Sequence, residues 1–99
     1  MELLKFHINS IRDLCSQHKV ATLYLFGSAA GNNFTDSSDI DFLVKFNAFN
    51  LSEYFENYMS FKNGLKKLLN REIDLVEEQT LKNPILIKSI NQNKELIYG

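Results

Sequence analysis

The chain has 99 residues, 44% of them hydrophobic and 23% charged, with eight Phe and four Tyr, which excludes a disordered chain and suits one compact domain over residues 1–99. Its formal net charge of −1, with no dense basic block beyond Lys66-Lys67, disfavours nucleic acid as a direct partner. The single Cys15 excludes an intrachain disulfide, the first residues lack a leader pattern, and no apolar run is long enough to span a bilayer, so a cytoplasmic location without membrane association is expected.

Residues 2 to 18 place Leu4, Ile8, Ile11 and Cys15 on one helical stripe flanked by Leu3, His7 and Leu14, which predicts a single amphipathic helix with a buried, structural Cys15. His18, near its end, is placed to serve the terminal carbonyls, and neither His7 nor His18 has zinc-ligand spacing. Val20 to Phe26 is short, apolar and rich in strand formers, and reads as a buried strand ending at Gly27. Residues 29 to 38 are small and polar apart from Phe34 and read as a loop, with room for one helical turn at its start; Asp36 reads as a turn former. In the strand Ile40 to Phe46, alternation sends Ile40, Phe42, Val44 and Phe46 to one face and Asp39, Asp41, Leu43 and Lys45 to the other.

Asn50 is a candidate cap, with Glu53 completing a capping-box pattern, for a helix in which Leu51, Tyr54, Phe55, Tyr58, Phe61, Leu65, Leu68 and Leu69 follow helical spacing. That register makes Tyr54, Phe55, Tyr58 and Phe61 core residues rather than a base-stacking platform. Arg71 to Glu77 reads as a third strand with Ile73 and Leu75 on one face and Glu72, Asp74 and Val76 on the other. Asn83-Pro84 opens a further helix running to about Asn91, and Glu95 to Tyr98 forms a short edge strand. The expected fold class is α/β, more narrowly α+β, with a small mixed β-sheet covered by helices.

The chemistry concentrates in five residues. Asp39 and Asp41 stand side by side on one strand face, and a neighbouring strand carrying Asp74 brings a third carboxylate alongside. Crowded carboxylates resist ionising together unless a hard, oxygen-seeking cation lies between them, and magnesium suits such a site because it leaves positions for substrate phosphates. Two ions bridging the three acids can activate an attacking hydroxyl and steady a triphosphate. Gly27 lets the backbone approach a ligand closely, and the Ser28 hydroxyl can donate to phosphate oxygens.

Phe26-Gly27-Ser28, the run Ser38 to Val44 and Asp74-Leu75-Val76 resemble the minimal nucleotidyltransferase family of the DNA polymerase beta superfamily, and the resemblance covers essentially the whole chain. It implies a polymerase beta-like fold in which Gly27 and Ser28 bind the nucleotide triphosphate and Asp39, Asp41 and Asp74 are catalytic, binding magnesium, with Asp74 nearest the acceptor hydroxyl. It further implies an antitoxin, paired with a HEPN-type toxin from a neighbouring gene, that transfers AMP from ATP to a tyrosine of that partner. A non-catalytic antitoxin that acts by occlusion is the alternative. One departure bears on this: many members carry arginines after Gly-Ser, where this chain has Ala29, Ala30 and Gly31, so charge-assisted phosphate contacts are missing. Lys62, Lys66 or Lys67 on the long helix are the candidates to replace them.

Overall fold

The computed structural model describes residues 2–27, 39–48 and 50–99. Ser28, the 29–38 loop with Ala29, Ala30, Gly31 and Asp36, and Ser38 lie outside the described residues. The elements are α1 (Glu2–Phe6), α2 (Ile8–Gln17), β1 (Val20–Phe26), β2 (Ile40–Phe46), α3 (Leu51–Leu69), β3 (Ile73–Glu77), a 3₁₀ turn (Glu78–Thr80), α4 (Pro84–Asn93) and β4 (Glu95–Tyr98).

The first helix is divided at His7, where a single helix was expected. His7 leaves helical geometry (φ −105, ψ 12), yet its carbonyl accepts from Ile11 at 2.9 Å and its amide is shared between Leu3 and Leu4 carbonyls at 3.3 and 3.2 Å. The chain thus re-starts its helix with little loss of hydrogen bonding, and Leu4, Ile11 and Cys15 all still reach the core. At the far end His18 caps as expected: its amide donates to Leu14 and Cys15 carbonyls, and its Nδ1 donates to the Leu14 carbonyl at 2.7 Å. That fixes Nε2 as an acceptor for the Ser60 hydroxyl, 3.0 Å away on α3.

The four strands form one sheet in the order β3-β2-β1-β4; β1 is antiparallel to both neighbours and β3 is parallel to β2. The alternation read along β2 is realised, since Ile40, Phe42, Val44 and Phe46 all join the principal core with Leu23 and Leu25 of β1. Helix α3 seals that face through Phe61, Leu65 and Leu69, and Phe46 packs edge-on against Tyr54 and Phe61 at centroid distances of 5.7 and 6.1 Å. Asn50 caps α3 through its side chain, 3.1 Å from the Ser52 amide, whereas the Glu53 carboxylate is turned toward Lys19 at 3.9 Å. Asn70, in the left-handed region, ends the helix, so β3 begins at Ile73 rather than Arg71.

Phe55, expected in the core, is not there, and neither is Leu51 of the same helical spacing. Leu51 is 84% and Phe55 74% exposed, because they lie on the flank of α3 that turns away from the sheet while Tyr54, Tyr58, Phe61 and Leu65 take the inner stripe.

Handedness places the last helix. The connection from β2 to β3 carries α3 over one sheet face; the return from β3 across the sheet to β4 runs in the opposite direction, so the same right-handed crossover carries α4 over the other face. Two buried residues outside the principal core, Leu43 of β2 and Ile90 of α4, agree with this second, thinner layer. So does Lys94, whose Nζ sits 4.2 Å from the Tyr24 ring on that face. Asn83 caps α4 by accepting from the Ile85 and Leu86 amides, with Pro84 at the first helical position, and the helix continues to Asn93. Among the described residues, no helix is long and apolar enough to cross a membrane.

Candidate active site

The parallel ladder between β2 and β3 sets Asp41 directly opposite Asp74, between the apolar pairs Ile40 with Ile73 and Phe42 with Leu75. The flanking pairs point into the core, so both carboxylates must emerge on the opposite face, at the end of the sheet where β1 finishes. Antiparallel pairing sets Phe26 opposite Asp41, which delivers the next residue, Gly27, to the same carboxylate.

Gly27 has φ +73, and a Cβ built on it would collide with Oδ2 of Asp41. The position therefore demands glycine twice over: for its left-handed backbone and for the space the carboxylate fills. This places half of the expected Gly27-Ser28 turn against the acids.

Asp41 is pushed up to about 6 from an ordinary 3.8. Burial is the largest cause, followed by the charges of Asp74 and then Asp39, and last by a hydrogen bond with the Asp74 side chain. A bond between two carboxyl groups needs a proton, so the pair shares one only as pH falls through about 6. Asp74 lies on an edge strand and is exposed; Asp39, just ahead of β2, is exposed as well. The expected three-acid convergence thus takes the form of an intimate Asp41–Asp74 pair with Asp39 acting on it from the flank. Among the described residues no group of three acidic, imidazole or thiol side chains is drawn together tightly enough to hold a metal by itself.

That donor set fits magnesium, which is held by one or two carboxylates and takes its remaining oxygens from water and substrate phosphates. An all-oxygen pair whose mutual repulsion already raises one pKa is what a divalent cation relieves.

Two of the three long-helix lysines are engaged away from the acids. Helix α3 packs on the sheet face opposite Asp41, Lys66 is ion-paired with Glu72 at 2.9 Å, and Lys67 lines a surface groove with Ser60, Asn63 and Asn70. On the acid-bearing face the sheet instead carries Lys45 and, over Tyr24, Lys94. Cys15, fully buried and pushed up to about 12 by desolvation, is no nucleophile, as its helical register indicates.

One residue near the acids escaped the sequence reading. Tyr58 was assigned to the core by its helical spacing, and its ring does pack there, but its hydroxyl donates to the Leu75 carbonyl, and its pKa is raised by burial and by the charge of Asp74. Helical periodicity reports which face a tyrosine occupies and is silent about where its hydroxyl ends.

Residues 9–99 match the family model described as polymerase beta, nucleotidyltransferase. A "Putative protein adenylyltransferase" of Methanocaldococcus jannaschii is 35% identical over 97 residues, covering 98% of this chain and 91% of the relative. A solved "putative minimal nucleotidyltransferase" superimposes with a TM-score of 0.79 at 26% identity, covering 95% of this chain and 92% of the other. A chain from the tri-AMPylated Shewanella oneidensis HEPN toxin in complex with MNT antitoxin shares the fold, with a TM-score of 0.62 at 20% identity over 96% of this chain and 71% of that one. With the mixed sheet, the opposed carboxylates and the glycine turn already in place, these similarities show that the chain belongs to the polymerase beta nucleotidyltransferase family.

Proposed function

We propose that this chain transfers AMP from ATP to a tyrosine hydroxyl of a HEPN-type toxin, with magnesium, and is the antitoxin of that pair. The observation that carries the reading is the opposition of Asp41 and Asp74 across a parallel ladder, with Gly27 against the Asp41 carboxylate. The AMPylated toxin bound to an MNT antitoxin, on a shared fold, supports the choice of nucleotide and partner.

In this reading the acceptor oxygen attacks the α-phosphorus in line, the bond to the β-phosphate oxygen breaks, and pyrophosphate leaves. Asp74, exposed on an edge strand, is the carboxylate a protein-borne hydroxyl can approach, and it takes the hydroxyl proton. Asp41, more enclosed and wedged against Gly27, defines where the α-phosphate must sit. Gly27 and Ser28 hold the triphosphate through backbone and hydroxyl donors. Asp39, Asp41 and Asp74 are the residues that would hold two magnesium ions, which when bound neutralise phosphate charge and acidify the attacking hydroxyl.

The test incubates the purified chain with radiolabelled ATP, magnesium and the toxin encoded by the neighbouring gene, then repeats it with Asp39→Asn and Asp41→Asn. Label on the toxin that disappears with either substitution is the expected result. Full neutralisation of the toxin by both variants, with no label transferred by the unmutated chain, would replace catalysis by occlusion.

A further inference from the structure

Among the described residues strand β3 is an edge strand, bonded to a neighbour on one side only. The Ile40 amide donates to the Glu72 carbonyl at 3.0 Å, and in a parallel ladder the groups facing the neighbour recur at every second residue. Glu72, Asp74 and Val76 therefore turn their backbone groups toward β2, whereas Ile73 and Leu75 turn theirs to the open edge. An unpaired edge carbonyl normally faces water or another chain. At Leu75 it does not: Tyr58, reaching around from α3, donates its hydroxyl to that carbonyl.

The peptide linking Leu75 to Val76, one residue beyond Asp74, is thus held from both sides, by β2 within the sheet and by Tyr58 at the rim. The Tyr58 ring is anchored by packing against the principal core, so the hydroxyl is a fixed point rather than a mobile one. It also lies close enough to Asp74 for that carboxylate to act on it.

We propose that Tyr58 is a positioning residue for Asp74: by tethering the outer rim of β3 at Leu75 it holds the Asp74 carboxylate at the spacing from Asp41 that cation and nucleotide binding need. This rests on the proposed function for its catalytic meaning, though the tether is measurable without it. Groups that orient a metal ligand are worth about 10–100-fold in affinity or activity when removed, which sets the scale of the expected loss.

Tyr58→Phe keeps the ring and deletes the hydroxyl. Two readouts are taken: amide hydrogen exchange resolved by residue, and magnesium affinity followed by titration in the absence of nucleotide. The expected result is about tenfold or more faster exchange confined to the Asp74 and Val76 amides, with β1 amides unchanged, and magnesium binding weakened about tenfold. Where toxin labelling is active, kcat should fall while the KM for ATP holds. Unchanged exchange at Asp74 and Val76, or uniform acceleration across all strands, would overturn the proposal. If Tyr58→Phe does not fold, the same exchange comparison is made in the Asp41→Asn background, where carboxylate repulsion is relieved. Failure of labelling by the unmutated chain, with the local exchange effect present, would count against the proposed function and leave the tether standing.

Discussion

At the scale of single residues the site is a conflict held in place. Asp41 is held at about 6 in the fold against an ordinary 3.8, so the folded state binds this proton more tightly than the unfolded chain does. Its contribution therefore favours folding at pH below the ordinary value and is lost as pH rises through about 6. Asp41→Asn should raise the melting temperature of the metal-free protein at pH 7.5, with the advantage shrinking by pH 5; a variant less stable than the parent at pH 7.5 contradicts this. Gly27→Ala should act in the reverse sense. The left-handed conformation alone costs a residue with a side chain about 1–2 kcal/mol, and the collision with Asp41 Oδ2 adds to it. The expected outcome is a lower melting temperature together with loss of any magnesium-induced stabilisation, both readable in one thermal-shift series. Of this, the parity of Asp39, Asp41 and Asp74 was legible in the sequence, because a period of two fixes which face a strand residue takes. Their depth of contact was not: that Asp41 faces Asp74 rather than Glu72 or Val76 is a matter of register, which only the docking of two distant segments decides.

At the scale of elements, the apolar spacing found every strand and nearly every helix boundary, since buried faces and caps are local signals. Asn50 and Asn83 cap as their positions indicate, and β1 and β2 run over the expected residues. What spacing could not decide was how wide a stripe α3 buries. Leu51 and Phe55 fit the helical period as well as Tyr54 does, but they lie on the exposed flank of α3. The break at His7 likewise leaves no mark in the pattern, because the stripe continues through it. Phe61 is where the α3 packing concentrates: fully buried, it meets Phe46 and the His18 ring, which holds the end of α2. Phe61→Ala should cost about 3–5 kcal/mol, a large share of the about 5–15 kcal/mol that stabilises a domain. Urea unfolding measures it; a midpoint within error of the parent would show that α3 is not held as described.

At the scale of the whole molecule, crossover handedness divides the labour between the sheet faces. One face, under α2 and α3, makes the core; the other carries the carboxylates and Tyr24, over which Lys94 at the end of α4 is laid. Lys66 and Lys67, singled out on the long helix, are engaged on the core side with Glu72 and a surface groove, a placement that no one-dimensional pattern contains. The strand order also leaves Asp74 on an exposed edge strand, where an acceptor borne by another protein can reach it. In the proposed function this edge carboxylate, with Asp41, directs AMP rather than phosphate onto the toxin. The most direct measurement is parallel labelling of the toxin with ATP carrying the radiolabel at either the α- or the γ-phosphate, using the parent chain and Asp74→Asn. The expected result is label on a toxin tyrosine from the α-position alone, abolished by Asp74→Asn; label from the γ-position, or α-label undiminished by the substitution, would contradict AMP transfer.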